Sequence, residues 1–373
     1  MPRTLDSKFH IDNIVDQFGA DLDADKVKAY CSNHEVGYQT ITKYLNQFKT
    51  KRGHWKVTVK EAKRQLEKTL ENSNVGIAKT TIQAENLVPT KDDTFIKFGA
   101  FPDLKKVIAS RLFYPVFITG MSGNGKTFGV EQACNQTNRE LIRVNITVET
   151  DEDDLIGGFR LVIGETVWQN GPVIEALERG AILLLDEVDL ASNKILCLQS
   201  ILEGKGVFLK KIGEYIKPSA GFNIVATANT KGKGSDDGRF IGTNVLNEAF
   251  LERFPITIEQ DYPSVVTETK ILTKVSESLN IPMIGEHKAF ITHLCNWADI
   301  VRRTFNDGGV DEIISTRRLT HIIRAYSIFG NKMKAVEMCL NRFDDETKES
   351  FTQLYSKLDE TVNVTESTQS VDS

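Results

Sequence analysis

The stretch Gly120-Met121-Ser122-Gly123-Asn124-Gly125-Lys126-Thr127 has the residue types and spacing needed to hold phosphates. Its form is G-x-x-x-x-G-K-[ST]. Glycines bring backbone N–H groups close to an anion, Lys126 offers a positive charge to the β- and γ-phosphates, and Thr127 offers a hydroxyl to Mg²⁺. Phe128 follows at once and completes the candidate nucleotide-binding set. A glycine-rich turn can match this pattern by chance, so context decides. The apolar run Val116-Phe117-Ile118-Thr119 precedes it, and a helix-compatible stretch from Phe128 to Asn135 follows. Strand, loop and helix is the required order, and such a helix turns its positive dipole end towards the anion.

Phosphoryl transfer to water needs charge neutralisation, a positioned nucleophile and a cation on the γ-phosphate. Ala181-Ile182-Leu183-Leu184-Leu185 is too continuously apolar to face water on either side, and it runs directly into Asp186-Glu187. Two acids ending a buried strand are costly without a cation. Asp186 can hold Mg²⁺ through water. Glu187 can serve as general base on the attacking water, which Asn229, ending a neighbouring strand, can orient. The bland alternatives are helix caps and solvated loop-end carboxylates. Arg253, in Ala249-Phe250-Leu251-Glu252-Arg253-Phe254, and Arg317, in Ser315-Thr316-Arg317-Arg318-Leu319, become candidate cations through their order after the phosphate loop. A guanidinium acting on the γ-phosphate is worth roughly 10³–10⁵ in rate.

These groups need a frame. Besides the strands before the loop and before Asp186, short apolar runs at Leu141–Asn145, Phe222–Asn229 and Pro255–Ile258 read as strands, with helices between them. Five such strands predict an open parallel α/β sheet with ligands at the strands' carboxyl ends. Alternation of Phe159, Leu161, Ile163 and Val167 around Gly164-Glu165 predicts a β-hairpin over 157–169, and a second hairpin is expected between Gly206 and Pro218. Pro172 and Gly180 delimit a short helix. A further helix is expected over Ala100–Leu112, and beyond Tyr262 the pattern is helical to about Leu358.

Composition excludes several classes. Cys31, Cys134, Cys197, Cys295 and Cys339 show no C-x-x-C spacing, which argues against a zinc ribbon or disulfide framework. His287 and His293 lack carboxylates at ligand spacing, so a metal held by protein alone is not expected. No stretch has the length of a membrane span and no signal-peptide core is present, so a soluble, cytoplasmic protein without a membrane partner is expected.

The net charge of −5 conceals an asymmetry, because Lys26–Lys68 carries eleven Lys/Arg against three Asp/Glu. That basic arm suggests an anionic partner, or simply a solvated face. Within it, two short helices joined near Glu35-Val36-Gly37 resemble a helix-turn-helix, although Glu35 stands where such turns usually have glycine. Lys49, Lys51, Arg52, His54 and Lys56, with Trp55 among them, could contact DNA phosphates, and Lys60–Leu70 continues as a charged helix.

The order of phosphate loop, Asp-Glu strand, Ala226-Thr227-Ala228-Asn229, Glu252-Arg253-Phe254 and Ser315-Thr316-Arg317 resembles an AAA+ ATPase. Asp154-Leu155-Ile156-Gly157-Gly158, Gly171–Leu177, the glycine-rich continuation to Asn244, and Ser327-Ile328-Phe329-Gly330 are similar to the MoxR group, and within it to the ATPase subunit of aerobic cobaltochelatase. The likeness spans roughly Phe95 to Leu358. It implies ATP and Mg²⁺ as ligands and a homo-oligomeric, usually hexameric ring that remodels a protein partner, commonly one bearing a von Willebrand A domain. It makes Lys126 and Thr127 the Walker A pair, Asp186 and Glu187 the Walker B acids, Asn229 sensor 1, Arg253 the arginine finger and Arg317 sensor 2. The two hairpins become the inserts that touch substrates or partners. The expected organisation is a small basic helical domain over 1–72, a linker over 73–94, an α/β nucleotide domain over 95–261, a helical lid over 262–358 and a disordered tail over 359–373. The alternative is a nucleotide-regulated DNA-binding protein acting through 26–68; a cobaltochelatase subunit proper rests on resemblance alone.

Overall fold

The computed structural model describes residues 13–15, 17–18, 21–34, 36–56, 86–162, 165–234, 242–282 and 284–359. The expected helix over Lys60–Leu70, most of the linker, and the tail beyond Asp359 lie outside these. Two compact units divide the chain, 1–78 and 79–373.

In the first unit, β1 (Asp21–Asp23) leads into α1 (Ala24–Asn33), capped by Asp23, whose carboxylate accepts the Asp25 and Lys26 N–H groups. Helix α2 (Tyr38–Leu45) follows, then β2 (Lys49–Lys51) and β3 (His54–Lys56). The paired helices match the sequence reading, and the basic segment, which carried no assigned element, follows them. It folds as a hairpin and completes a three-stranded antiparallel sheet in the order β1-β3-β2. Trp55, expected among solvated charges, is only 5% exposed and packs with Leu22, Tyr30 and Leu45. Alternation in a strand puts Trp55 inward while His54 and Lys56 point out.

The second unit opens with α3 (Phe101–Ser110), β4 (Val116–Thr119), α4 (Lys126–Gln136), β5 (Leu141–Asn145) and the single turn α5 (Glu152–Leu155). The hairpin β6 (Gly157–Val162) and β7 (Glu165–Asn170) comes next, then α6 (Pro172–Arg179) and β8 (Ile182–Asp186). After α7 (Gln199–Leu202), a second hairpin joins β9 (Val207–Leu209) to β10 (Glu214–Ile216). Strand β11 (Asn223–Ala228), the turn α8 (Glu248–Leu251) and β12 (Ile256–Glu259) complete the α/β part. Five strands form one parallel sheet in the order β12-β4-β11-β8-β5. Every residue of β4, β8 and β11 is buried, as strands covered by helices on both faces must be. Both hairpins lie outside this sheet as separate two-stranded pairs.

Residues 86–94, expected to end the linker, are instead tied to the nucleotide domain. Asn135 donates to the Pro89 carbonyl, Gln132 to that of Thr90, and the Leu141 N–H to that of Leu87. Glutamine and asparagine on α4 supply this strapping, and polar side chains give no periodic signal.

The helical part comprises α9 (Val265–Ser278), α10 (Glu286–Asn306), α11 (Thr316–Phe329), α12 (Lys332–Leu340) and α13 (Asp345–Leu358) around a core that includes Trp297, Leu294 and Tyr355. Inside it, Glu268 is fully buried and paired through both oxygens with Arg302 at 2.8 and 2.9 Å. Thr316 donates to the same carboxylate at 2.6 Å, and Arg302 Nε donates to the Ile314 carbonyl at 2.8 Å. This network fixes the start of α11. Replacing Glu268 by alanine leaves a buried guanidinium unpaired, so chemical denaturation should show a loss of about 3–5 kcal/mol.

Candidate active site

The phosphate loop turns sharply between β4 and α4. At Gly120, φ is +148° and any Cβ would stand 2.1 Å from the Gln260 carbonyl oxygen; at Gly123, φ is +72° and a Cβ would meet Ser315 at 2.8 Å. Only glycine fits either place. Gly125 caps α4 without a side-chain hydrogen bond, so the first N–H groups of the helix stay available to an anion. Tyr262 OH donates to the Ser122 carbonyl at 2.7 Å and the Arg317 N–H to that of Gly123 at 3.2 Å, holding the helical part against the loop. The Asn124 amide binds the Gln260 carbonyl.

Loop, strand ends and α11 enclose a cleft of about 300 Å³. Ser122, Gly123, Asn124, Gly125, Lys126, Thr127, Phe128, Asp186, Glu187, Asn229 and Arg317 all line it. Gly120 and Met121 form the loop's base, where their carbonyls accept from Lys126 Nζ at 2.5 and 3.0 Å. The same ammonium donates to Asn229 Oδ1 at 3.2 Å, which brings β11 to the loop. Phe95, Ile96, Phe98, Ile271 and Val275 supply an apolar end.

Asp186 lies at the end of β8 and accepts the Thr127 hydroxyl at 2.8 Å and the Thr227 hydroxyl, both on Oδ1. These adjacent hard oxygens suit Mg²⁺. Glu187 has φ +59°, a left-handed conformation costing about 1–3 kcal/mol for a non-glycine residue. Its N–H donates to Thr227 at 3.2 Å. Asp189, fully buried, accepts the Asn229 and Thr230 N–H groups, each at 2.9 Å, and thereby fixes the end of β11.

Burial pulls the Lys126 ammonium from its ordinary value of 10.5 to about 8, with Asp189, Asp186 and Glu187 acting in the opposite direction and Arg317 reinforcing the fall. The unfolded chain therefore holds more protons between pH 8 and 10.5, and the Lys126 contribution makes the nucleotide-free protein more stable as pH rises through that window. Triphosphate affinity should run the other way, constant below about pH 8 and weakening above it as Lys126 loses charge. Calorimetric titration with ATP from pH 7 to 10 checks this; an unchanged affinity would remove Lys126 from phosphate binding.

Arg253 stands apart. It pairs with Glu203 at 2.8 Å and donates to the Ala249 carbonyl, and it is absent from the residues lining the cleft of its own chain. Sequence reasoning passed over four residues. Arg324, seven positions after Arg317 and so on the same helix face, also lines the cleft, and that spacing was readable. Thr227 sat inside the Ala226-Thr227-Ala228-Asn229 motif already singled out, and Asp189 lay two positions beyond Glu187. Arg143, whose guanidinium lies 2.6 Å from Asp186 Oδ2, carried no local signal, because only strand pairing brings it there.

A five-stranded parallel sheet with a phosphate loop after β4, acids after β8 and helices packed beside the cleft is the arrangement of an AAA+ ATPase. Residues 115–254 match the AAA domain of the dynein-related subfamily. The chain is similar to the aerobic cobaltochelatase subunit CobS of Sinorhizobium sp, with 25% identity over 65% of this chain and 74% of that one. Protein NorQ of Paracoccus denitrificans is 31% identical over 43% of this chain and 58% of its own. These are the MoxR-type relatives that the motifs resemble. Among solved structures, the Thermotoga maritima RuvB Holliday junction branch migration motor overlaps 68% of this chain and 73% of that one at 18% identity, with a TM-score of 0.43. Among the described residues, no helix is long and apolar enough to cross a membrane.

Proposed function

We propose that the chain is one subunit of a cytoplasmic ring, hexameric as in the group it resembles, that hydrolyses ATP to remodel a protein partner. The observation that supports this reading is the position of Arg253 outside its own cleft, which suits action on the site of a neighbouring copy. Lys126 and the loop N–H groups hold the β- and γ-phosphates. Glu187 takes the proton of the attacking water while Asn229 orients it, and Arg253 of the next subunit neutralises charge developing on the γ-phosphate. Magnesium, bound with the nucleotide, supplies further neutralisation, and Thr127 and Asp186 would hold it. Arg317, with its backbone on the Gly123 carbonyl, ties lid position to phosphate occupancy.

Two features support a protein as the remodelled partner, with a von Willebrand A domain the kind expected from the MoxR resemblance. Phe159, Leu161 and Val162 are exposed on one hairpin, and Phe208 and Tyr215 on the other. Apolar side chains grouped in water on insert hairpins favour protein contact. Five free cysteines suit a reducing compartment. The DNA-binding alternative draws no support from the fold of the first unit, where Trp55 is buried. Light scattering with and without ATP tests the assembly: a discrete oligomer should form, and a fully active monomer would refute the ring.

A further inference from the structure

Asp186 is a nearly buried carboxylate, its side chain 6% exposed. The Thr127 and Thr227 hydroxyls on Oδ1 are neutral and leave its charge uncompensated. Lys126 directs its ammonium to the Gly120 and Met121 carbonyls and Asn229 instead. The full positive charge comes from Arg143, whose Nη2 stands 2.6 Å from Oδ2. Parallel pairing sets Asn145 opposite Asp186, and Arg143, two residues earlier, shares that face of β5. The guanidinium also reaches Glu131 Oε1 at 3.3 Å, one turn beyond Thr127 on α4, and donates to Asn145 Oδ1 at 3.1 Å. Its side chain is 44% exposed, and it does not line the cleft. It therefore has both alternative partners and room to withdraw from Asp186 without crossing the phosphate site.

We infer that Arg143 is the resident counter-ion of Asp186, held on one oxygen of the carboxylate that a cation would also use, and so sets how tightly the site takes a divalent metal with nucleotide. This rests on Asp186 being the cation-holding acid proposed above. A guanidinium and a divalent ion on one carboxylate repel, so Arg143 weakens metal binding and shifts towards Glu131 and Asn145 as the metal enters. Before loading, the same contact offsets the cost of a buried, unpaired carboxylate.

The test is Mn²⁺ binding to the full chain saturated with a non-hydrolysable ATP analogue, read from the free-ion resonance signal, for wild type, Arg143→Gln and Arg143→Lys. Arg143→Gln should bind Mn²⁺ about three- to tenfold more tightly, and Arg143→Lys within about twofold of wild type. Equal or weaker binding by Arg143→Gln overturns the inference alone. Absence of analogue-dependent Mn²⁺ binding in wild type overturns the reading of Asp186 as well. Thermal unfolding gives a second readout: Arg143→Gln should melt below wild type without ligands and level with it when Mn²⁺ and analogue are bound. A deficit of equal size in both conditions also overturns the inference.

Discussion

Arg253→Ala should lower ATP turnover by about 10³–10⁵ while leaving the affinity of each chain for nucleotide within a few-fold of wild type. The separation follows from geometry. The guanidinium pairs with Glu203 and lies outside the cleft of its own chain, so its removal takes nothing from the groups that hold the phosphates there. A cation that acts only when charge develops on the γ-phosphate changes turnover and spares ground-state binding. Turnover and analogue binding measured on one preparation decide the matter. A variant that loses binding in proportion to turnover would show that Arg253 supports the fold instead.

Glu187→Gln should reduce turnover by about 10²–10⁴ and retain nucleotide. The substitution preserves volume and keeps the left-handed backbone, whose N–H rests on Thr227, so the change is confined to loss of the proposed base. Single-turnover hydrolysis with Mg²⁺ is the proper readout, because slow product release can mask the chemical step. Residual turnover near that of wild type would pass the proton to another group.

The frame of this site was legible because its signals are local. Continuous apolarity in Ala181–Leu185 announced a strand buried on both faces, and glycines at 120, 123 and 125 announced a backbone that must approach something closely. Hairpins and lid helices followed from alternation, capping and the 3.6-residue period. What stayed hidden depends on partners far apart in sequence. Arg143 and Asp186 meet only through the β5–β8 register, and Glu268, Arg302 and Thr316 join only once three helices pack. The first unit shows the same limit. Lys49–Lys51 and His54–Lys56 are three-residue strands, too short to display alternation, and their charge concealed an inward-facing Trp55.

Mixing two variants, each expected to be inactive alone, tests the proposed composite site most directly. Lys126→Ala subunits lack the phosphate-holding cation but keep Arg253, and Arg253→Ala subunits have the converse defect. Combined, they should form junctions pairing an intact phosphate loop with an intact arginine, and turnover should rise well above that of either variant alone. If the mixture stays as inactive as its components although mixed oligomers form, or if a strictly monomeric wild type turns over at the full rate, a site shared between two copies is contradicted.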